Sequence, residues 1–246
     1  MLDRPIHQPT VRVPFAKDAP LLMLPGTLCD ERVFAPVLTA LGCNAAILPL
    51  RGASSAAGMA QLVLAGAPER FSLCGFSLGA IVALEIMAQA PERVARLALI
   101  GCNPGPMESG RVAARAAVAR DDFVAWSCGD ADAPRDTPVR RLLDEMAAAV
   151  PEAQYRQQTE MTLHRADSWP LLGDIDVPTL VVCGADDCIC PPALSRDIAL
   201  AIAGSRLALI QNAGHYVLVE KPDAVAHELA AWLDQPAQLH ARSHHD

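Results

Sequence analysis

Ser77, an adjacent pair of acids at Asp186 and Asp187, and His215 follow one another along this chain, each just beyond an apolar run. A hydroxyl, an imidazole and a carboxylate are the set that makes a nucleophile from serine. The base takes the hydroxyl proton, and the acid holds the imidazole in the right tautomer and stabilises the imidazolium. Ser77 stands in Gly75-Phe76-Ser77-Leu78-Gly79, where the strand-like "RFSLCGF" (70–76) meets a helical pattern running from Ser77 to about Gln89. A strand-to-helix turn this tight needs small residues on both sides of its centre. It lifts the central oxygen above the sheet and aims the first N–H groups of the helix at any oxyanion formed there.

A glycine-flanked turn without chemistry requires neither an acid nor a histidine in matching places, and both are present. "VVCGADDCICPP" sets Asp186 and Asp187 immediately past a strand, in the turn before a proline-initiated helix. "IQNAGHYVLVEKP" sets His215 in a glycine-containing loop after the last strand. Either acid stands well to orient an imidazole.

The elements that must position these residues alternate in type. Strand-like runs fall at 20–26, 45–50, 70–76, 96–101, 178–184 and 206–211. Helical patterns follow at 30–42, capped by Asp30 and closed by Gly42, and at 56–67, 77–89, 191–203 and 221–234. Near-continuous apolar strands alternating with helices predict an α/β fold, a mostly parallel central sheet with helices on both faces. Ligands in such folds bind outside the carboxyl ends of the strands. Residues 103–172 break the rhythm: they read as helices at 109–120, 121–127, 138–149 and 151–164, with no strand between. The expected organisation is a core of 18–102 and 173–235, a helical lid over 103–172, and loosely ordered tails at 1–17 and 236–246.

On these motifs, from about residue 20 to 234, the sequence resembles the α/β-hydrolase superfamily, as a lid-containing, carboxylesterase-like serine hydrolase. The resemblance implies Ser77 as nucleophile and His215 as general base. Its G-x-x-D spacing, counted from Gly184, selects Asp187 as the acid, with Asp186 as the fallback. It also implies an oxyanion hole built from the N–H of Leu78 and one from the loop after the first strand. That loop reads "LPGTLCD", with Pro25 where relatives commonly carry histidine. Thr27 is the expected donor and Leu28 the second choice; a backbone N–H does not depend on the exchanged side chain.

The lid residues expected to face the nucleophile are Trp126, Tyr155, His164, Arg165 and Trp169, and Leu28 is a further expected substrate-binding residue. Arg165 beside Asp167 and Ser168 suits a substrate carboxylate, but an Arg–Asp pair locking the lid to the core is the favoured reading. Aromatic residues make up only 4% of the chain, which points to an aliphatic acyl or small ester group in the site.

Composition excludes several classes. A net charge of −8 argues against nucleic acid or an anionic membrane as partner. No apolar run reaches the ~18–20 residues of a membrane span, and "MLDRPIHQPTVRVPFAKDAP" lacks the apolar core of a secretory signal. The eight cysteines are scattered, as in a reduced, cytoplasmic protein. No phosphate-binding glycine loop and no metal-ligand spacing occurs, so neither cofactor nor metal is expected. The expected partner is a small-molecule ester or acyl substrate, and the oligomeric state is open. Carbon–carbon bond hydrolysis, cofactor-free perhydrolase (haloperoxidase) activity and a non-catalytic binding protein remain alternatives. The arginines Arg111, Arg115, Arg140 and Arg141 keep an acyl group delivered by an acidic carrier protein among the possible substrates.

Overall fold

A computed structural model describes residues 19–128 and 137–237. The expected tails, apart from residues 236 and 237, lie outside the described residues. Six strands form one sheet: β1 (Leu21–Leu24), β2 (Ala46–Ile47), β3 (Phe71–Phe76), β4 (Val94–Ile100), β5 (Thr179–Gly184) and β6 (Arg206–Ile210). Every pairing is parallel, in the order β2-β1-β3-β4-β5-β6. The chain therefore leaves β1 toward one edge and returns on its other side through β3. That reversal opens a crevice at the carboxyl ends of β1 and β3.

The sheet is parallel because both its faces are apolar, and successive side chains sort to opposite faces. Met23, Cys74, Phe76, Ala98, Ile100 and Val182 enter one core. Leu22, Leu24, Leu73, Leu97, Leu99 and Val181 enter the other. The first core packs against α1 (Ala35–Leu41) and the C-terminal helix, Pro222–Leu233. The second packs against α2 (Ala56–Gly66), α3 (Leu78–Gln89) and the helix Pro192–Ala201.

Helix starts follow local chemistry. Ser55 caps α2 by accepting the Gly58 N–H at 3.1 Å. Asp30 caps a short 3-10 turn, Glu31–Val33, rather than the long helix expected over 30–42; α1 begins only after it and stops at Gly42, φ 63°.

Between β4 and β5 the described chain holds α4 (Ser109–Ala116), α5 (Phe123–Ser127), α6 (Pro138–Ala149), α7 (Glu152–Leu163) and α8 (Trp169–Leu172), and no strand. Thr137 caps α6 and Pro138 occupies its first turn. The short α8 and a further turn of helix at Val217–Glu220, directly after His215, were not expected. The remaining helices are α9 (Pro192–Ala201), α10 (Val217–Glu220) and α11 (Pro222–Leu233). Among the described residues no helix is long and apolar enough to cross a membrane.

Candidate active site

Ser77 joins β3 to α3 with φ 52° and ψ −113°, a conformation that a residue with a Cβ rarely adopts. Two features hold it there. Its N–H donates to the Ile100 carbonyl of β4 at 2.9 Å, and its carbonyl accepts the Ala80 N–H at 2.9 Å. The flanking glycines let the chain close on itself. A Cβ on Gly75 would run into the backbone of Gly79 and Ala80, and one on Gly79 into the Leu24 carbonyl of β1.

Gly184, at the end of β5, plays the same part for the other two residues. A Cβ there would overlap the carbonyls of Ala213 and Gly214, so its absence brings the β5 and β6 loops into contact. The Asp186 N–H then donates to Ala213 O at 2.9 Å. This contact turns Asp186 outward and Asp187 inward: Asp186 is exposed, whereas Asp187 is 3% exposed. One Asp187 oxygen accepts the N–H groups of Ile189 and Cys190, both at 2.8 Å. The other lies 2.8 Å from His215 Nδ1. A carboxylate only accepts, so Nδ1 carries the proton and Nε2 is left with its lone pair toward Ser77 Oγ, 3.0 Å away. His215 is itself buried, flanked by the Phe76 and Tyr216 rings, and its loop is pinned by the Gly214 N–H donating to Glu220 Oε2 at 2.6 Å.

These groups open into a cavity of about 200 Å³ at the carboxyl ends of the strands. Thr27 and Leu78 line it beside Ser77. Leu78 is the first residue of α3, so its N–H has no acceptor within the helix. Leu28 is excluded as the second donor: its N–H already donates to the side-chain oxygen of Gln158 at 3.0 Å, and its side chain is outside the cavity lining.

The residues expected to face the nucleophile divide. Trp126 and Arg165 line the cavity. His164 does not: it is exposed and pairs with Glu160 one turn earlier on α7. Trp169, the first residue of α8, is partly buried against the core, and the Tyr155 hydroxyl donates to Val118 O at 2.7 Å; neither lines the cavity. Arg165 does not pair with Asp167; it donates to the carbonyls of Gly105 at 2.6 Å and Thr162 at 2.8 Å. Of the four lid arginines, Arg111 and Arg115 line the cavity, and Arg140 is held by Asp144. Arg115 is almost fully buried, its guanidinium stacked 4.8 Å from the Phe123 ring.

Gln158, 1% exposed, is the residue that sequence reasoning missed. Its amide oxygen holds Leu28 and its amide nitrogen donates to Leu50 O at 3.3 Å, tying α7 to the loops after β1 and β2. Nothing in "EAQYRQQTEMTL" distinguishes it from the neighbouring glutamines.

Tertiary structure also brings Cys190 beside Asp187 and His215, with one donor atom of each within 4.8 Å of the others. Burial pushes the Cys190 thiol well above its ordinary value, with the Asp187 charge adding to it. The carboxylate and imidazole already bond each other. Three such donors, one of them a held thiol, fall short of the four that a structural zinc site uses.

A six-stranded parallel sheet with a serine at a strained strand-to-helix turn, and a histidine and an acid on later loops, is the architecture of a hydrolase. The alpha/beta hydrolase family's sequence profile matches residues 15–228, and the chain belongs to that family. The chain is similar to a pimeloyl-[acyl-carrier protein] methyl ester esterase of Aromatoleum aromaticum, 27% identical over 79% of this chain and 84% of that one. It matches a proline iminopeptidase of Lactobacillus crispatus at 40% identity, over only 31% of this chain and 26% of the relative. Its fold is similar to that of a thermophilic esterase from Thermogutta terrifontis, with a TM-score of 0.76, 22% identity and coverage of 87% and 89% of the two chains. The protein is an enzyme of the alpha/beta hydrolase family with esterase-like relatives.

Proposed function

We propose that the protein cleaves a carboxylic ester or related acyl compound through a covalent acyl-Ser77. The observation that carries this reading is the unbroken chain from Ser77 Oγ to His215 at 3.0 Å and on to Asp187 at 2.8 Å, opening into a cavity. Ser77 Oγ attacks the substrate carbonyl carbon while its proton passes to His215 Nε2. The negative charge on the former carbonyl oxygen is met by the N–H groups of Thr27 and Leu78, a hole in which each donor contributes about 3–4 kcal/mol. As the intermediate collapses, His215 returns the proton to the leaving oxygen. Water, deprotonated by the same imidazole, then releases the acid and restores Ser77.

The described residues of 103–172 act as a lid: α4, α5 and the end of α7 supply the outer wall of the cavity, so the acyl-enzyme forms away from bulk water. Carbon–carbon cleavage and perhydrolysis would use the same three side chains; the esterases among the relatives favour the ester reading. Against a non-catalytic binding protein stands the backbone strain kept at Ser77, which a simple binding cavity has no use for.

A fluorophosphonate probe tests the reading. It is expected to label the wild type and not Ser77→Ala, and a p-nitrophenyl ester series is expected to be turned over by the wild type alone. A correctly folded wild type that neither labels nor turns over any ester overturns the proposal.

A further inference from the structure

The cavity beside Ser77 has the opposite electrical character to the molecule around it. The chain carries a net charge of −8, yet among the described residues the cavity lining contains Arg111, Arg115 and Arg165 and no aspartate or glutamate. Among the described residues none of the three pairs with a carboxylate. Their partners are neutral. Arg115 donates to the Tyr155 hydroxyl at 3.1 Å and to Thr159 Oγ1 at 3.4 Å, and Arg165 to two backbone carbonyls. Arg111 is exposed at the rim.

A guanidinium withdrawn from water is costly unless an anion meets it. Arg115 is 3% and Arg165 is 8% exposed. Each guanidinium offers five N–H groups in a planar fork. Their hydrogen bonds leave Arg115 Nε and Arg165 Nη2 without a partner among the described residues. Burial lowers the pKa of both below the ordinary arginine value, and the neighbouring charge of Arg111 adds to this at Arg165. Two like charges beside one cavity, with spare donors and no counter-ion among the described residues, make a receptor for an oxyanion.

We propose that Arg111, Arg115 and Arg165 bind an oxyanion carried by the substrate itself, a carboxylate or phosphate attached to the acyl compound whose ester lies against Ser77. This rests on the hydrolase reading for the position of the ester and on the lining alone for the charge. The cation–π contacts of Arg115 and the carbonyl contacts of Arg165 then hold the two forks ready, and Arg111 at the rim draws the anion in.

Two measurements test it. In the first, the mono-p-nitrophenyl ester of adipic acid is compared with its methyl ester, which has the same leaving group and nearly the same length but no charge. The wild type is expected to prefer the charged ester by about tenfold or more in kcat/KM, equivalent to about 1.4 kcal/mol. Arg165→Gln is expected to remove most of this preference, and Arg111→Gln, an exposed rim substitution, a smaller part of it. Equal use of the two esters, or a preference that survives both substitutions, overturns the proposal.

The second measurement is calorimetric binding of adipate, adipamide and inorganic phosphate to Ser77→Ala. It reads the anion site even if Ser77 is not the nucleophile. Binding of adipate but not adipamide, weakened by Arg111→Gln, assigns a carboxylate; binding of phosphate alone assigns a phosphate. No binding of either anion, or equal binding of the neutral diamide, overturns the site whatever the esterase assay shows.

Discussion

Ser77 at φ 52° holds a conformation costing about 1–3 kcal/mol, and it is kept by bonds to Ile100 and Ala80 on either side. The same economy of contacts separates two neighbouring acids. Asp187 accepts two backbone N–H groups and faces His215; Asp186 faces water. Asp187→Asn keeps the shape of the site but offers His215 an amide that can donate, which destabilises the productive tautomer. It is expected to lower kcat by about 10⁴. Asp186→Asn is expected to change kcat by less than about twofold, as for a surface position. Steady-state kinetics on the two variants separates them, and similar losses in both would return the choice of acid to the open.

At the scale of elements, α7 is more than the wall of a cavity. Through Gln158 it holds Leu28, itself at φ 58°, next to Thr27, whose N–H is the proposed oxyanion donor. Gln158→Leu leaves the buried Leu28 N–H without a partner, a loss of about 1–3 kcal/mol, and leaves the Leu50 carbonyl only the Gln154 amide at 3.4 Å. The turn then shifts, and kcat is expected to fall about 10–100-fold while KM changes little, because the displaced donor acts on the transition state. Gln158→Glu retains the acceptor for Leu28 and is expected to recover most of the lost rate. A variant that loses stability but keeps kcat would make Gln158 a structural strut only.

For the whole molecule, the cysteines set an alkaline limit. Burial pushes the thiols of Cys29, Cys74 and Cys102 up from 9.0 to about 12. Between those values the unfolded chain has released protons that the folded chain keeps. The unfolded state binds fewer protons there, so stability falls as pH rises, by about 1.4 kcal/mol per pH unit for each cysteine. The urea midpoint is expected to be level below about pH 8.5 and to drop steeply from about pH 9 to 11. Cys128 and Cys183, raised to about 11, and Cys190, raised well above 9.0, share that slope, so Cys74→Ala is expected to lessen it by about a sixth. A midpoint that stays level through pH 11 would show that these thiols are not held protonated by the fold.

Much of this was legible in the residue order. Apolar runs that alternate with amphipathic ones can be buried only as a parallel sheet under two helical layers, and the short-range needs of a tight turn single out Ser77 between Gly75 and Gly79. His215 and an acid after later strands follow from the same pattern, and the family spacing from Gly184 points to Asp187. What tertiary structure alone decided lies where no local rule acts. α7, "EAQYRQQTEMTL", has too few apolar residues to declare which side faces inward. Its orientation, which buries Gln158 and exposes His164 beyond its end, is settled by the loops it meets. The inward turn of Arg115 is equally invisible, because a long charged side chain reads as surface until aromatic rings from two other helices close around it. Periodicity reports which faces are greasy; where polar groups are buried, only the partners that satisfy them decide, and those partners are far away in sequence.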